Sequence, residues 1–126
     1  MITLKQAKTK REMKRFVLFP FSLYRGNKYW VPPIIKDEVN NFNAKKNPVF
    51  KNAEAQFFLA YSGKKIVGRV AAMVNWIEVE KQQIKKMRFG WFDVIDDPEV
   101  SKVLLDKVNE IGKKHNLDYI EGPCLF

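Results

Sequence analysis

The stretch RFGWFDVIDDPEVSK, Arg88 to Lys102, reads as a strand that runs straight into a helix. Such a junction is a natural anion seat, because the first N–H groups of a helix lack intrahelical partners and the helix dipole is positive there. Here the seat holds Asp96, Asp97 and Glu99, with no glycine between Gly90 and Lys102, in a chain of net charge +9. Downstream, Val100, Val103, Leu104, Val108 and Ile111 recur at helical spacing. Asp97 suits the N-cap, Pro98 the first turn, Lys113 and Lys114 the negative C-terminal end, and Asn116 the stop. A short strand over 118–121 follows. Two strands joined by one helix must lie parallel, which implies a right-handed crossover.

Upstream, AQFFLAYSGKKIVGRVAAMVNW, Ala55 to Trp76, is two apolar runs about Ser62-Gly63-Lys64, the pattern of a hairpin. Gly68 inside the second run predicts a bulge or a close backbone approach. Near the N-terminus, Ile2 and Leu4 alternate with polar residues. Thr9 and Glu12 then form a capping box that opens a helix carrying Met13, Phe16 and Val17. Pro20 is expected to end or bend that helix near Phe19. A second helix is expected through Asn40 with Pro33 in its first turn. The segments 41–52 and 78–86 show no period and read as connections. The element order is α/β, with a mixed sheet and helices on both faces.

Composition narrows the function classes. A length of 126 residues with 46% hydrophobic content supports one packed domain. No apolar run reaches the length of a membrane span, and the start lacks a secretion signal, so a cytoplasmic location is expected. A single cysteine, Cys124, excludes an internal disulfide, and with His115 as its only histidine companion there is no zinc set. Asp93, Asp96 and Asp97 are the remaining carboxylate-only candidates for a metal, and none is expected. Residues 1–36 carry nine Lys/Arg against one acid, whereas residues 93–126 carry four against eight. Such an imbalance attracts phosphate backbones. Lysines spread along amphipathic helices are more often a solvated face, so nucleic-acid binding is not expected.

The strings FPFSLYRGNKYWVPP, NPVF, VGRVAAMVN, FGWFDVIDD and EGP, at 19–33, 47–50, 67–75, 89–97 and 121–123, resemble a bacterial group of GNAT-like proteins. The hairpin followed by strand, helix and strand is similar to the first five strands of the GNAT acyltransferase fold. The resemblance covers essentially the whole chain. It implies a single GNAT-like domain over 1–126, cut short after the fifth strand, from longer proteins related to acyl-CoA-dependent N-acyltransferases. It also implies acetyl-CoA or a longer acyl-CoA as cofactor, lying along the backbone of Val94 and Ile95, and a small-molecule amine as acceptor. This sequence departs from the family where DDPEVSK replaces the glycine-bearing pyrophosphate loop, so a competent coenzyme site is not expected in this chain. The alternative is a non-catalytic half-domain that serves as a scaffold, or pairs as a homodimer or with a missing C-terminal half.

Within that frame Asp93 is the candidate general base, a carboxylate between apolar neighbours on a strand near where an acceptor amine would sit. Alternation along the strand also allows it to face solvent. Tyr24, Tyr29 and Trp30, with Phe21, form an aromatic cluster that either packs the first helices or walls a substrate pocket. His115 reads as a helix-end residue and Cys124 as a small core residue.

Overall fold

The structure is a computed structural model that describes residues 1–123; Cys124 lies outside the described residues. Five strands form one sheet in the order β1 (Ile2–Ala7), β2 (Ala53–Ser62), β3 (Lys65–Asn75), β4 (Lys86–Val94) and β5 (Tyr119–Glu121). The first four are antiparallel neighbours. β5 returns parallel to β4 after α3 (Pro98–Lys114), pairing at Lys86 to Arg88.

Alternation along β2 and β3 sorts side chains onto two cores. Phe58, Ala60, Val70, Ala72 and Val74 face α3, meeting Val100, Leu104, Val108 and Ile111. On the other face, Phe57, Leu59, Ala71 and Met73 meet Phe16, Val17 and Phe42. The helices covering this second face are α1 (Lys10–Leu23) and α2 (Ile35–Asn41). Because both faces of β3 are covered, its sequence is an apolar run rather than an alternation.

Local chemistry explains the element ends. At α1 the Thr9 hydroxyl accepts from the Glu12 N–H at 3.1 Å, and Glu12 returns a bond to the Thr9 N–H at 3.0 Å. At the far end of α3, Asn116 takes φ 58°. The Asn116 and Leu117 N–H groups reach the Lys113 and Gly112 carbonyls at 3.1 and 2.9 Å, which is a Schellman closure. The expected features at Gly68 are both present. Val67 is the extra residue where the β2–β3 register shifts, and α3 crosses directly over Gly68.

Three expectations are narrowed or corrected. α1 does not stop before Pro20 but continues to Leu23. A proline leaves the carbonyl four residues earlier without its helical partner, and here that carbonyl, on Phe16, accepts from the Arg69 Nη1 at 2.8 Å. An outside donor has replaced the missing N–H. α2 begins at Ile35, with Pro33 before its cap. The connections at 41–52 and 78–86 contain a 3₁₀ turn, Pro48–Lys51, and most of a π turn, Ile77–Lys81, each tied by an asparagine side chain, Asn47 and Asn75.

A Cβ at Gly68 would come within 2.9 Å of both Leu104 Cδ1 and Val100 Cγ1, whereas one at Gly112 would stand 3.5 Å from Met87. Gly68→Ala is therefore expected to lower unfolding stability by about 1–3 kcal/mol. Gly112→Ala, in ordinary contact and inside a helix, is expected to leave the urea midpoint unchanged or to raise it.

Candidate functional site

Arg69 is the buried charged residue among those described, 5% exposed in the middle of β3. Its neighbour across the β3–β4 pair is Asp93. The guanidinium Nε and Nη2 both donate to Asp93 Oδ2 at 2.9 Å, and Nη1 goes to Phe16 as described above. The Phe16 ring lies beneath the guanidinium, 5.0 Å from ring centre to Cζ. The second carboxylate oxygen, Oδ1, accepts from the Tyr24 hydroxyl at 2.6 Å. Each polar group of this network thus has a partner, which a buried ion pair needs because its desolvation would otherwise exceed its attraction. Burial pulls the Arg69 guanidinium below its ordinary range, and Asp93 pushes it back up. Burial, then the bond to Asp93, raises the Tyr24 phenol to about 12.

The site sits at a kink in β4. Arg69 pairs with Asp93 but Ala71 pairs with Gly90, so β4 carries one residue more than β3 across this interval. Trp91 occupies this bulge with φ 45°, an uncommon conformation for a bulky residue. Two contacts hold it on the α2 side: its Nε1 donates to Glu38 Oε2 at 3.1 Å, and its ring meets Phe42 edge-on at 4.9 Å.

The structure brings two of the aromatic candidates together and leaves the third apart. Trp30 lies over Tyr24 at 5.4 Å and meets Phe21 edge-on at 5.1 Å, so Tyr24, Trp30 and Asp93 form one assembly. Tyr29 is 82% exposed and faces away from it. Of the two backbone candidates, Ile95 has its N–H committed to the Val67 carbonyl at 3.0 Å. Consecutive strand N–H groups point to opposite edges, so that of Val94 is directed away from β3. His115 is on the other face of the sheet against Trp76. Asp93, Asp96 and Asp97 do not gather, and among the described residues no three His, Cys, Asp or Glu side chains could share a metal.

Sequence reading missed Arg69, Glu38 and the Phe16 carbonyl. The available signals were one arginine within the apolar run VGRVAAMVN and one proline inside an apolar helix.

The start of α3 does not fit a diphosphate. The Asp97 side chain already accepts from the Glu99 N–H at 3.0 Å, and Pro98 has no N–H. The Val100 and Ser101 N–H groups turn back to the Asp97 carbonyl, and the Asp97 N–H goes to Ile95. The backbone N–H groups of Asp97, Glu99, Val100 and Ser101 are thus all engaged, and Asp96, Asp97 and Glu99 would repel an anion there.

This architecture recurs in known proteins. The chain superposes over its full length on 40% of a tandem GNAT protein from the clavulanic acid biosynthesis pathway, with a TM-score of 0.68 and 14% identity. It has the GNAT fold. A GNAT-family acetyltransferase from Staphylococcus aureus Mu50 matches 97% of this GNAT-like chain with 74% of its own, at a TM-score of 0.62 and 19% identity. In sequence, the chain is 32% identical over 114 residues to Protein YghO of Escherichia coli K12, and 30% identical over 117 residues to a bacterial ceramide synthase of Caulobacter vibrioides. These matches take in 90% and 92% of this chain but 29% and 30% of those proteins, so the chain spans about three tenths of the length of these relatives. No protein-family model matches it.

Asp93→Asn strips the buried guanidinium of its counter-charge and is expected to cost about 3–5 kcal/mol of stability. The double variant Asp93→Asn with Arg69→Met should recover much of that loss in a chemical-denaturation cycle. An absorbance titration should find one tyrosine ionising at about 12 instead of 10, and Tyr24→Phe should abolish that late step. Since the raised value favours the protonated phenol in the folded chain, the Tyr24 contribution is complete below pH 10 and fades as pH rises to about 12.

Proposed function

We propose that this chain supplies the acceptor side of a longer GNAT-type N-acyltransferase and does not hold a coenzyme pyrophosphate at its own α3. The observation that carries this reading is the closed first turn of α3, where side chain, proline and backbone account for the donors. The bacterial ceramide synthase among the relatives supports a long-chain amine as acceptor, and the tandem GNAT neighbour supports an arrangement in which a second GNAT-like unit binds the acyl-CoA. On this reading the domain over 1–126 is part of a larger catalytic protein.

At the β4 bulge the residues would divide the work by their chemistry. Tyr24, protonated up to about 12, would meet an amine as a hydrogen-bonding group rather than as a base. Asp93, its charge balanced by Arg69 and one oxygen committed to Tyr24, would act as a positioning residue for that hydroxyl. Trp30 over Tyr24 would offer an apolar ring face to an alkyl chain.

A second reading is favoured by the sheet edge. β5 has a strand neighbour on one side, β4, among the described residues, so its other edge offers backbone groups to a further strand. That strand would come from a second copy or from polypeptide outside the chain, making this unit a scaffold.

Calorimetric titration with acetyl-CoA, a long-chain acyl-CoA and a long-chain amine below its micellar concentration, run beside a solution mass measurement, separates these readings. Amine binding that saturates, together with acyl-CoA heats that vanish at moderate salt, is the expected result. Trp30→Ala should weaken amine binding more than it lowers Tm. Acyl-CoA binding that saturates and survives salt would overturn the assignment of α3, and a stable dimer that binds neither ligand would favour the scaffold.

A further inference from the structure

Four of the six large apolar side chains exposed among the described residues are concentrated in one place, Met1 and Tyr119 lying elsewhere in the sequence. Tyr29, Val31, Ile34 and Ile35 are 82%, 84%, 69% and 39% exposed and fall within seven consecutive residues that run from the α1–α2 connection to the first residue of α2. Three cations accompany them: Arg25, Lys28 and Lys36 are all exposed, and residues 25–36 contain no acid. The nearest carboxylates are Asp37, exposed beside Lys36, and Glu38, whose Oε2 is turned inward to Trp91.

The loop is held from beneath. Trp30, between the exposed Tyr29 and Val31, packs on Phe21 and Tyr24. The Asn27 side chain accepts from the Tyr29 N–H at 2.9 Å, and its carbonyl accepts from the Trp30 N–H at 3.3 Å. Lys28 Nζ stands 5.2 Å from the centre of the Tyr29 ring. Pro32 and Pro33 restrict the backbone between Val31 and Ile34. A protruding apolar tip on a preorganised loop, with cations and no acid in it, meets the requirements of an anionic lipid surface: aliphatic side chains to enter the acyl boundary and lysine or arginine heads at phosphate level.

We propose that the segment Arg25–Lys36 is a docking loop for the surface of an anionic bilayer. Nucleic acid fits less well, because Val31, Ile34 and Ile35 neither stack on bases nor pair with phosphates. The charge arrangement also departs from that of an ordinary protein contact, in which lysine is depleted. Docking by this loop is independent of the acyl-transfer reading. It would nevertheless set Trp30 and Tyr24 directly behind the lipid-facing tip.

The test is co-sedimentation of the chain with vesicles of phosphatidylcholine alone and of phosphatidylcholine mixed with phosphatidylglycerol. The wild-type chain should pellet with the mixed vesicles and far less with the neutral ones. The combined variant Arg25→Gln, Lys28→Gln, Lys36→Gln should lose about fivefold in partitioning for each cation removed. Val31→Asp with Ile34→Asp should lose about tenfold or more. Because these side chains are exposed, the thermal melts of the variants should match that of the wild type, which separates lost docking from lost folding. Absence of pelleting with the mixed vesicles would overturn the proposal. So would equal pelleting of wild type and both variants, or release of the wild type from vesicles by single-stranded RNA with the Asp variant unaffected.

Discussion

The guanidinium of Arg69 is the constraint around which one half of this molecule is arranged. It is a full charge placed at the centre of a sheet, where an isolated ion would be far too costly to keep, and it persists because two separate elements bring it acceptors. β4 provides Asp93 from the neighbouring register position. α1 provides the Phe16 carbonyl, and that carbonyl is available because Pro20 cannot donate to it. The proline thus changes meaning with its context. In isolation it is a helix breaker, whereas beside Arg69 it exposes an acceptor that fastens helix to sheet.

The same network ties the fold to its candidate chemistry. Asp93 is anchored on one side by Arg69 and presents its other oxygen to Tyr24, while Trp30 lies over Tyr24 and the Trp91 bulge kinks the strand beside them. A bulge re-aims a strand and disturbs its pairing, and here β4 and β5 pair over Lys86 to Arg88 but not at the bulge. The network and the start of α3 lie at opposite ends of one contrast. Polar side chains are assembled on the α1 face, and the strand end that would lead a diphosphate to α3 is sealed by its own aspartate cap.

Much of the fold was legible in the residues. The hairpin, the third long strand, the α3 stripe and both helix caps depend on neighbours a few positions apart, and such signals survive without tertiary context. The GNAT resemblance extended the same local strings to a fold that the superpositions bear out. Reading failed where a residue is satisfied by something distant. Pro20 looked terminal because Arg69 is 49 positions away in the chain. Arg69 itself drew no attention because its partners lie on two other elements. Tyr24, Tyr29 and Trp30 are close neighbours in sequence, yet the backbone turns Tyr29 outward and the other two inward.

By itself, then, the sequence determined the periodicities, the turns, the caps and the acidic junction, since each follows from backbone sterics and hydrogen bonding within a few residues. It also determined the basic N-terminal third, which is a matter of composition. Only the tertiary structure decided which polar groups meet, because a buried charge is stabilised by donors and acceptors converging in space from strands and helices far apart along the chain. The Arg69–Asp93–Tyr24 network, the outward Tyr29 and the inward Glu38 belong to that second category.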